Sequence, residues 1–364
     1  MKIPLRSIRT AVVIATVLAA GVALADETTK TLDFYWIDSE GGGSTLIVTP
    51  TNESVLIDTG NPGGRDPARI IAAAKAAGLS KIDHVLITHW HTDHYGGAAE
   101  VAQQIPFGAL YQRAIPEGDP DGRKQSTFPL QIKPYREIAA RRVPLAPGAV
   151  IPLKAPAGRG APKLELRCIG ADQKFVEPTP AQKKARNPLA GSVPSRAADL
   201  SDNANSAVFV LEFGPFRFFD GGDLTWNNEE KLVTPYNLPG VVDVYQTNHH
   251  GLESSNNPLL VQSLEPTVVV MNNGPKKGGQ AGSFAAIRSA RSVQALYQVH
   301  KSFNVPAEEN AAHDHIANHE NLTGPDAAKC PANIIRMSVA PDGRSYTISV
   351  PSTGHSKAYQ TKRR

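Results

Sequence analysis

The six residues His89-Trp90-His91-Thr92-Asp93-His94 constrain this chain more than any other segment. They place three imidazoles and a carboxylate directly after residues 82–88, an apolar run with the pattern of a buried strand. Alternation at a strand end lets His89 and His91 face the same way. The turn through Gly96-Gly97 into the helix-like residues 98–102 lets Asp93 and His94 reach a neighbouring point. Neutral imidazole and carboxylate are ligands for zinc and related divalent ions, and a site that keeps a position for water is a hydrolytic site. Four such side chains at this spacing suit two adjacent cations.

This H-x-H-x-D-H pattern resembles that of the metallo-β-lactamase superfamily. Other residues fall in the family's order. Asp58 in Asp58-Thr59-Gly60 matches the early aspartate that orients the metal loop by holding a ligand imidazole. Asp223, after Gly221-Gly222, matches the aspartate that bridges the ions, and His249 in His249-His250-Gly251 matches the late histidine of the second metal site. Alternation along the preceding strand predicts that only one of the pair points at the metals, with His249 as ligand and His250 touching a ligand or the substrate. The resemblance implies an α/β fold, the αββα sandwich of two mixed sheets flanked by helices. It also implies two divalent ions, zinc or alternatively manganese, held by His89, His91, Asp93, His94, Asp223 and His249. In the family's hydrolysis Asp93 orients the attacking hydroxide while Asp223 bridges the metals.

One family residue is missing. No histidine stands between His94 and His249, where a third ligand of the first metal belongs. Residues 201–210, with His249-His250-Gly251 and Ser254-Ser255 further on, are similar to the hydrolase domain of bacterial competence proteins, which tends to carry Asp or Asn there. Three readings stay open: Asp202, Asn203 or Asn205 ligates the first metal, the site is short of one protein ligand and holds its metal less tightly, or these residues form the turn before a strand, as Asn and Asp favour turns. The competence-type resemblance implies a phosphodiester, in a nucleotide or nucleic acid, as substrate. The alternatives are an ester, lactone or thioester, or a metal-binding protein without catalysis. A β-lactam is disfavoured, because β-lactamases lack an aspartate at the bridging position.

The first 25 residues carry Lys2, Arg6 and Arg9 and no acid, an apolar stretch at residues 11–24, and Ala23-Leu24-Ala25. This is the pattern of a cleaved secretory signal peptide, and the stretch is shorter than the roughly 18 to 20 residues of a spanning helix. It predicts a periplasmic or secreted protein with no stable membrane insertion after cleavage. Cleavage lowers the formal charge from +4 to +1, which leaves no global field to steer a polyanion. No protein partner is implied. Cys168 and Cys330 are compatible with one disulfide or with two thiols.

The rest reads as one hydrolase domain over residues 26–350, with residues 110–200, rich in Pro, Lys and Arg, as an insertion at the rim and residues 351–364 as a basic, solvated tail. Short β-rich runs at residues 31–37, 45–48 and 55–57 suggest a meander. A helix starts after them, with Asp66 as N-cap and Gly78 as stop. Strands are expected at residues 207–213, 216–219, 267–271 and 296–299, and helices at 258–264 and 283–291. His313, Asp314, His315 and His319 lie in a polar stretch and read as a rim loop rather than as ligands.

Overall fold

The computed structural model describes residues 30–158 and 160–363. The signal peptide expected at residues 1–25 lies outside them. No helix among the described residues is long and apolar enough to cross a membrane.

The chain opens with β1 (Leu32–Trp36), β2 (Thr45–Val48), β3 (Ser54–Ile57), β4 (Ile82–Leu86), β5 (Phe107–Gln112) and β6 (Arg141–Pro144). It continues through β7 (Val150–Ile151), β8 (Leu164–Ala171), β9 (Lys174–Phe175), β10 (Val208–Phe213), β11 (Phe216–Asp220), β12 (Val244–Gln246), β13 (Val268–Met271), β14 (Ala295–His300) and β15 (Ile316–Asn318). Three last strands, β16 (Ile335–Val339), β17 (Ser345–Val350) and β18 (His355–Gln360), return to the first sheet. That sheet runs β18-β17-β16-β1-β2-β3-β4-β5-β6; the second runs β15-β14-β13-β12-β11-β10-β8-β7, with β9 on β8. Both are mixed: β3 to β6 are parallel in one, β11 to β15 in the other, and the remaining pairs are antiparallel. The strands pair in such long runs because apolar residues alternate along them, as in β1, where Leu32, Phe34 and Trp36 are buried.

Three apolar layers fill the molecule. Phe34, Trp36, Phe216, Phe218, Tyr346 and Ile348 pack between the sheets. Helix Arg65–Ala76 and helix Ala98–Gln104 cover the outer face of the first sheet through Ile70, Ile71 and Val101. Helices Pro258–Leu264 and Ala281–Ser289 cover the second through Leu260, Leu264 and Phe284. The fold is therefore the expected αββα sandwich.

Local expectations need three corrections, and one open alternative closes. The helix is preceded by Gly64, while Asp66 sits in its first turn and accepts from the Asn61 amide at 2.7 Å. Residues 110–200 are more than a rim, because β8 within them is a full partner of β10 in the second sheet. Residues 351–364 are not simply a solvated tail: β18 is the edge strand of the first sheet, and Tyr359 on it is buried against Tyr346 and Tyr297. Cys168 and Cys330 are both free and buried.

Candidate active site

The parallel strands end on one side of the sandwich, and the loops leaving β4, β11 and β12 carry His89 to His94, Asp223 and His249-His250. Outside the carboxyl ends of parallel strands is where open α/β sheets hold ligands.

Donor atoms of Asp93, His94, Asp223 and His250 all lie within 4.8 Å of one another. His94 Nε2 is 3.2 Å from both Asp93 Oδ2 and Asp223 Oδ2, and His250 Nε2 is 3.5 Å from Asp93 Oδ2 and 3.4 Å from Asp223 Oδ1. His89 Nε2 stands 3.9 Å from Asp223 Oδ2. Asp58 braces the group from behind: it accepts from the Thr88 amide and hydroxyl at 2.9 and 2.8 Å and meets His94 Nδ1 at 2.6 Å. That contact fixes which nitrogen of His94 faces the cluster.

The remaining sequence candidates are distributed as follows. His91 stands outside the four-residue group, with Nε2 on Asp121 Oδ1 at 2.9 Å and its ring against His89. Residues 202–205 form a single short turn before β10. Asp202 is tied to Arg113 at 2.9 Å and accepts from the Trp90 amide at 2.6 Å, so it braces the metal loop instead of facing the cluster. Asn205 bonds Asp202 and Gln173. Asn203 alone reaches the site, its Nδ2 donating to His249 Nε2 at 3.3 Å.

Strand alternation does not separate His249 from His250. β12 ends at Gln246, and both histidines take left-handed backbone angles, φ 52° and 54°. The resulting turn brings both imidazoles to Asp223, with His249 Nε2 3.5 Å from Oδ2 while its Nδ1 meets Ser254 and Ser255. Such angles are uncommon for side-chain-bearing residues and need surrounding structure to hold them. Glu229 supplies it from helix Trp226–Val233. Its buried carboxylate accepts from Asn248 Nδ2 at 2.6 Å and from the amides of Asn256 and Asn257 at 2.8 and 2.7 Å.

Two functional side chains were not singled out from sequence. Glu229 is one, and Lys277 is the other: its ammonium reaches from the loop after β13 to Asp93 Oδ2. Neither sits in a local pattern. The signal for Lys277 was only its place in a glycine-rich loop after a strand. Beside it runs a cleft of about 650 Å³ lined by Arg65, Lys276, Lys277, Asn61 and Thr323. Backbone closes in elsewhere. A Cβ on Gly43 would lie 2.7 Å from Asp58 Oδ2 and 2.8 Å from His94 Nδ1, and one on Gly278 would collide with the His250 carbonyl.

The electrostatics are those of a cation site. Burial pushes the Asp93 carboxyl up, but His94 and Lys277 outweigh it and hold it well below the usual range. Asp223 is likewise held far down, burial being overcome by His250, His94 and His249. Burial would lower His94, yet Asp223, Asp93 and Asp58 raise it well above its ordinary value. Burial, reinforced by His94, keeps His89 well below its ordinary value, and burial takes His249 down to about 4. Buried His89 Nε2, His94 Nε2 and both ring nitrogens of His250 have no hydrogen-bond partner. Orphaned ring nitrogens facing ionised carboxylates fit a divalent metal, because a cation satisfies both at once.

Comparison with known proteins agrees with this arrangement. Residues 38–181 match the model of the metallo-beta-lactamase superfamily. Over 234 residues the chain is 23% identical to the competence protein ComA of Neisseria gonorrhoeae, covering 64% of this chain and 26% of that protein. Over 99 residues it is 38% identical to an atrochrysone carboxyl ACP thioesterase of Aspergillus fumigatus, covering 27% and 23%. The chain thus spans about a quarter of the length of these curated relatives. Among solved structures it aligns with the metallo hydrolase Igni18 of Ignicoccus hospitalis at a TM-score of 0.42 and 13% identity, covering 74% of this chain and 95% of that one. The stretch that matches the superfamily model, residues 38–181, holds the H-x-H-x-D-H loop and lies within the two-sheet sandwich.

Proposed function

We propose that this chain is an exported, metal-dependent hydrolase that cleaves a phosphodiester. The observation that carries the reading is the pairing of a buried His/Asp cluster with an ammonium at its mouth. Lys277 is 42% exposed at its side chain while touching Asp93. When the carboxylate turns to a cation, that ammonium is freed for an anionic substrate oxygen, and Lys276 and Arg65 in the adjoining cleft add to the same field.

Asp93, His94, Asp223 and His250 would hold the metal, with His89 and His249 within reach of Asp223 for a second ion. Two divalent cations, zinc or manganese, supply a water of lowered pKa and polarise the bond to be cleaved. The chain's own residues do the rest. Asp58 keeps the His94 ring in place. Asp93 accepts a proton-bearing group at Oδ2, where Lys277 now sits. Asn203 offers its amide beside His249, where a substrate oxygen can bond. Export rests on the basic, apolar and Ala-x-Ala pattern of residues 1–25.

The thioesterase relative supports a second reading, thioester or ester hydrolysis, at the same site. Purified metal-loaded chain should be assayed against a phosphodiester, a phosphomonoester, a lactone, a thioester and a β-lactam. Turnover of the phosphodiester, abolished by chelation and by Asp223→Ala, is expected. Turnover of the thioester or lactone with the diester untouched would replace the first reading by the second.

A further inference from the structure

Among the described residues, two other groups of metal-ligand residues lie outside the site. Asp38, Glu40, His300 and Cys330 cluster in the interior, but Arg69 sits 2.9 Å from Asp38 Oδ2 and 3.4 Å from Glu40 Oε1, so those carboxylates already face a cation. The second group differs. Donor atoms of Asp314, His315 and His355 lie within 4.8 Å of one another, and the ion-pair partner of Asp314 is an imidazole, that of His355.

Asp314 and His315 are adjacent, and the fold brings His355 to them from 40 residues further along the chain. His313 and His319, which neighbour them in sequence, stack on each other at 4.0 Å and leave the group; His355 takes their place from the start of β18. Each imidazole of the group is braced on one nitrogen. His315 Nδ1 meets the Leu296 carbonyl at 3.0 Å, which makes that nitrogen the proton carrier and leaves Nε2 with a free lone pair. His355 Nε2 meets the Tyr297 hydroxyl at 3.0 Å, and that hydroxyl contacts Tyr359 at 2.8 Å. Its other nitrogen, Nδ1, lies 2.8 Å from Asp314 Oδ2. Ring packing fixes the pair further: His315 stacks on Tyr297 at 4.3 Å and meets His355 at 4.4 Å. Backbone or hydroxyl partners on the outer nitrogen are what metal-ligating histidines carry.

We propose that Asp314, His315 and His355 form a structural site for a divalent transition metal of the zinc class, separate from the active site. Two imidazoles and a carboxylate select zinc, copper or nickel over magnesium or calcium. The position gives the ion its purpose. His315 leads into β15, the edge of the second sheet, and His355 begins β18, the edge of the first, so one cation ties the two open edges of the sandwich together.

The full chain, stripped by chelation, should be titrated with Zn²⁺ alone beside Asp314→Asn and His355→Gln, with bound zinc and the thermal midpoint as readouts. Asp314 is largely exposed, so its variant keeps the fold even if His355→Gln does not. Loss of one zinc equivalent in Asp314→Asn, or its weakening at least tenfold, together with a smaller zinc-induced rise in midpoint, is expected. Zinc stoichiometry and affinity in Asp314→Asn equal to those of the native chain overturn the proposal.

Discussion

Glu229 and Asn248 share a buried 2.6 Å hydrogen bond directly beneath the turn that presents His249 and His250. Through it, a helix on the outside of the second sheet sets the geometry of the metal-facing loop. Among the described residues the carboxylate has no basic partner within ion-pair reach, and burial pushes its pKa up to about 7.

Glu229→Gln removes one acceptor while three donors still point at it. Leaving a buried donor unmet costs about 1–3 kcal/mol, so the metal-free variant should melt earlier. The loss depends on pH. Because the folded pKa is raised above the ordinary 4.5, the favourable contribution of Glu229 is complete below 4.5 and is lost as pH rises through about 7. The gap between native chain and variant should narrow between pH 4.5 and 8 in paired thermal melts. A gap that widens over that range contradicts the assignment.

Asp223→Ala should abolish hydrolysis and release at least one metal while the far-ultraviolet spectrum stays unchanged. Asp223 touches His89, His94, His249 and His250 but belongs to no apolar layer. Full metal content with normal turnover would refute its central place.

His250→Ala should lose metal outright, since His250 completes the group with Asp93, His94 and Asp223. His249→Ala should retain that group and give up only the second ion, which His249 and His89 face beside Asp223. Metal titration of the two purified variants distinguishes them, and equal losses would show that both histidines serve the same ion.

Lys277→Met should raise KM for an anionic substrate about tenfold or more, as the loss of one charge-assisted hydrogen bond of about 1.5–3 kcal/mol implies. A neutral thioester should be hydrolysed with KM little changed. Steady-state kinetics on both substrates is the measurement, and equal effects would remove Lys277 from substrate recognition.

Arg113→Ala should destabilise the fold by about 3–5 kcal/mol, the cost of stranding a buried charge. Asp202, 3% exposed at its side chain, would lose its guanidinium while still holding the Trp90 amide. Urea unfolding checks this, and a loss below about 1 kcal/mol would mean that water replaces the pair.

Much of the site was legible because it is local. His89 to His94 are contiguous and follow a plain strand, and Asp58 and Asp223 each follow an apolar run, so the family resemblance had local motifs to rest on. Glu229, Arg113 and Lys277 were not legible, since each acts across a gap that only tertiary packing closes. The two histidines of the late turn misled for a backbone reason: alternation holds for extended residues, and these are left-handed. β8 was hidden by its surroundings, where Pro, Lys and Arg mask a regular run from Leu164 to Ala171. β18 was hidden likewise, as charged and polar residues surround the one buried ring that anchors it, Tyr359.

Gly43 and Gly278 wall the centre with main chain, leaving no room for even a methyl group on that side. Point mutation therefore has nothing to work on there. Change in what the site accepts enters instead through the cleft beside Lys277, at Asn61, Arg65, Lys276 and Thr323, so libraries meant to redirect this protein towards new substrates are best confined to those positions.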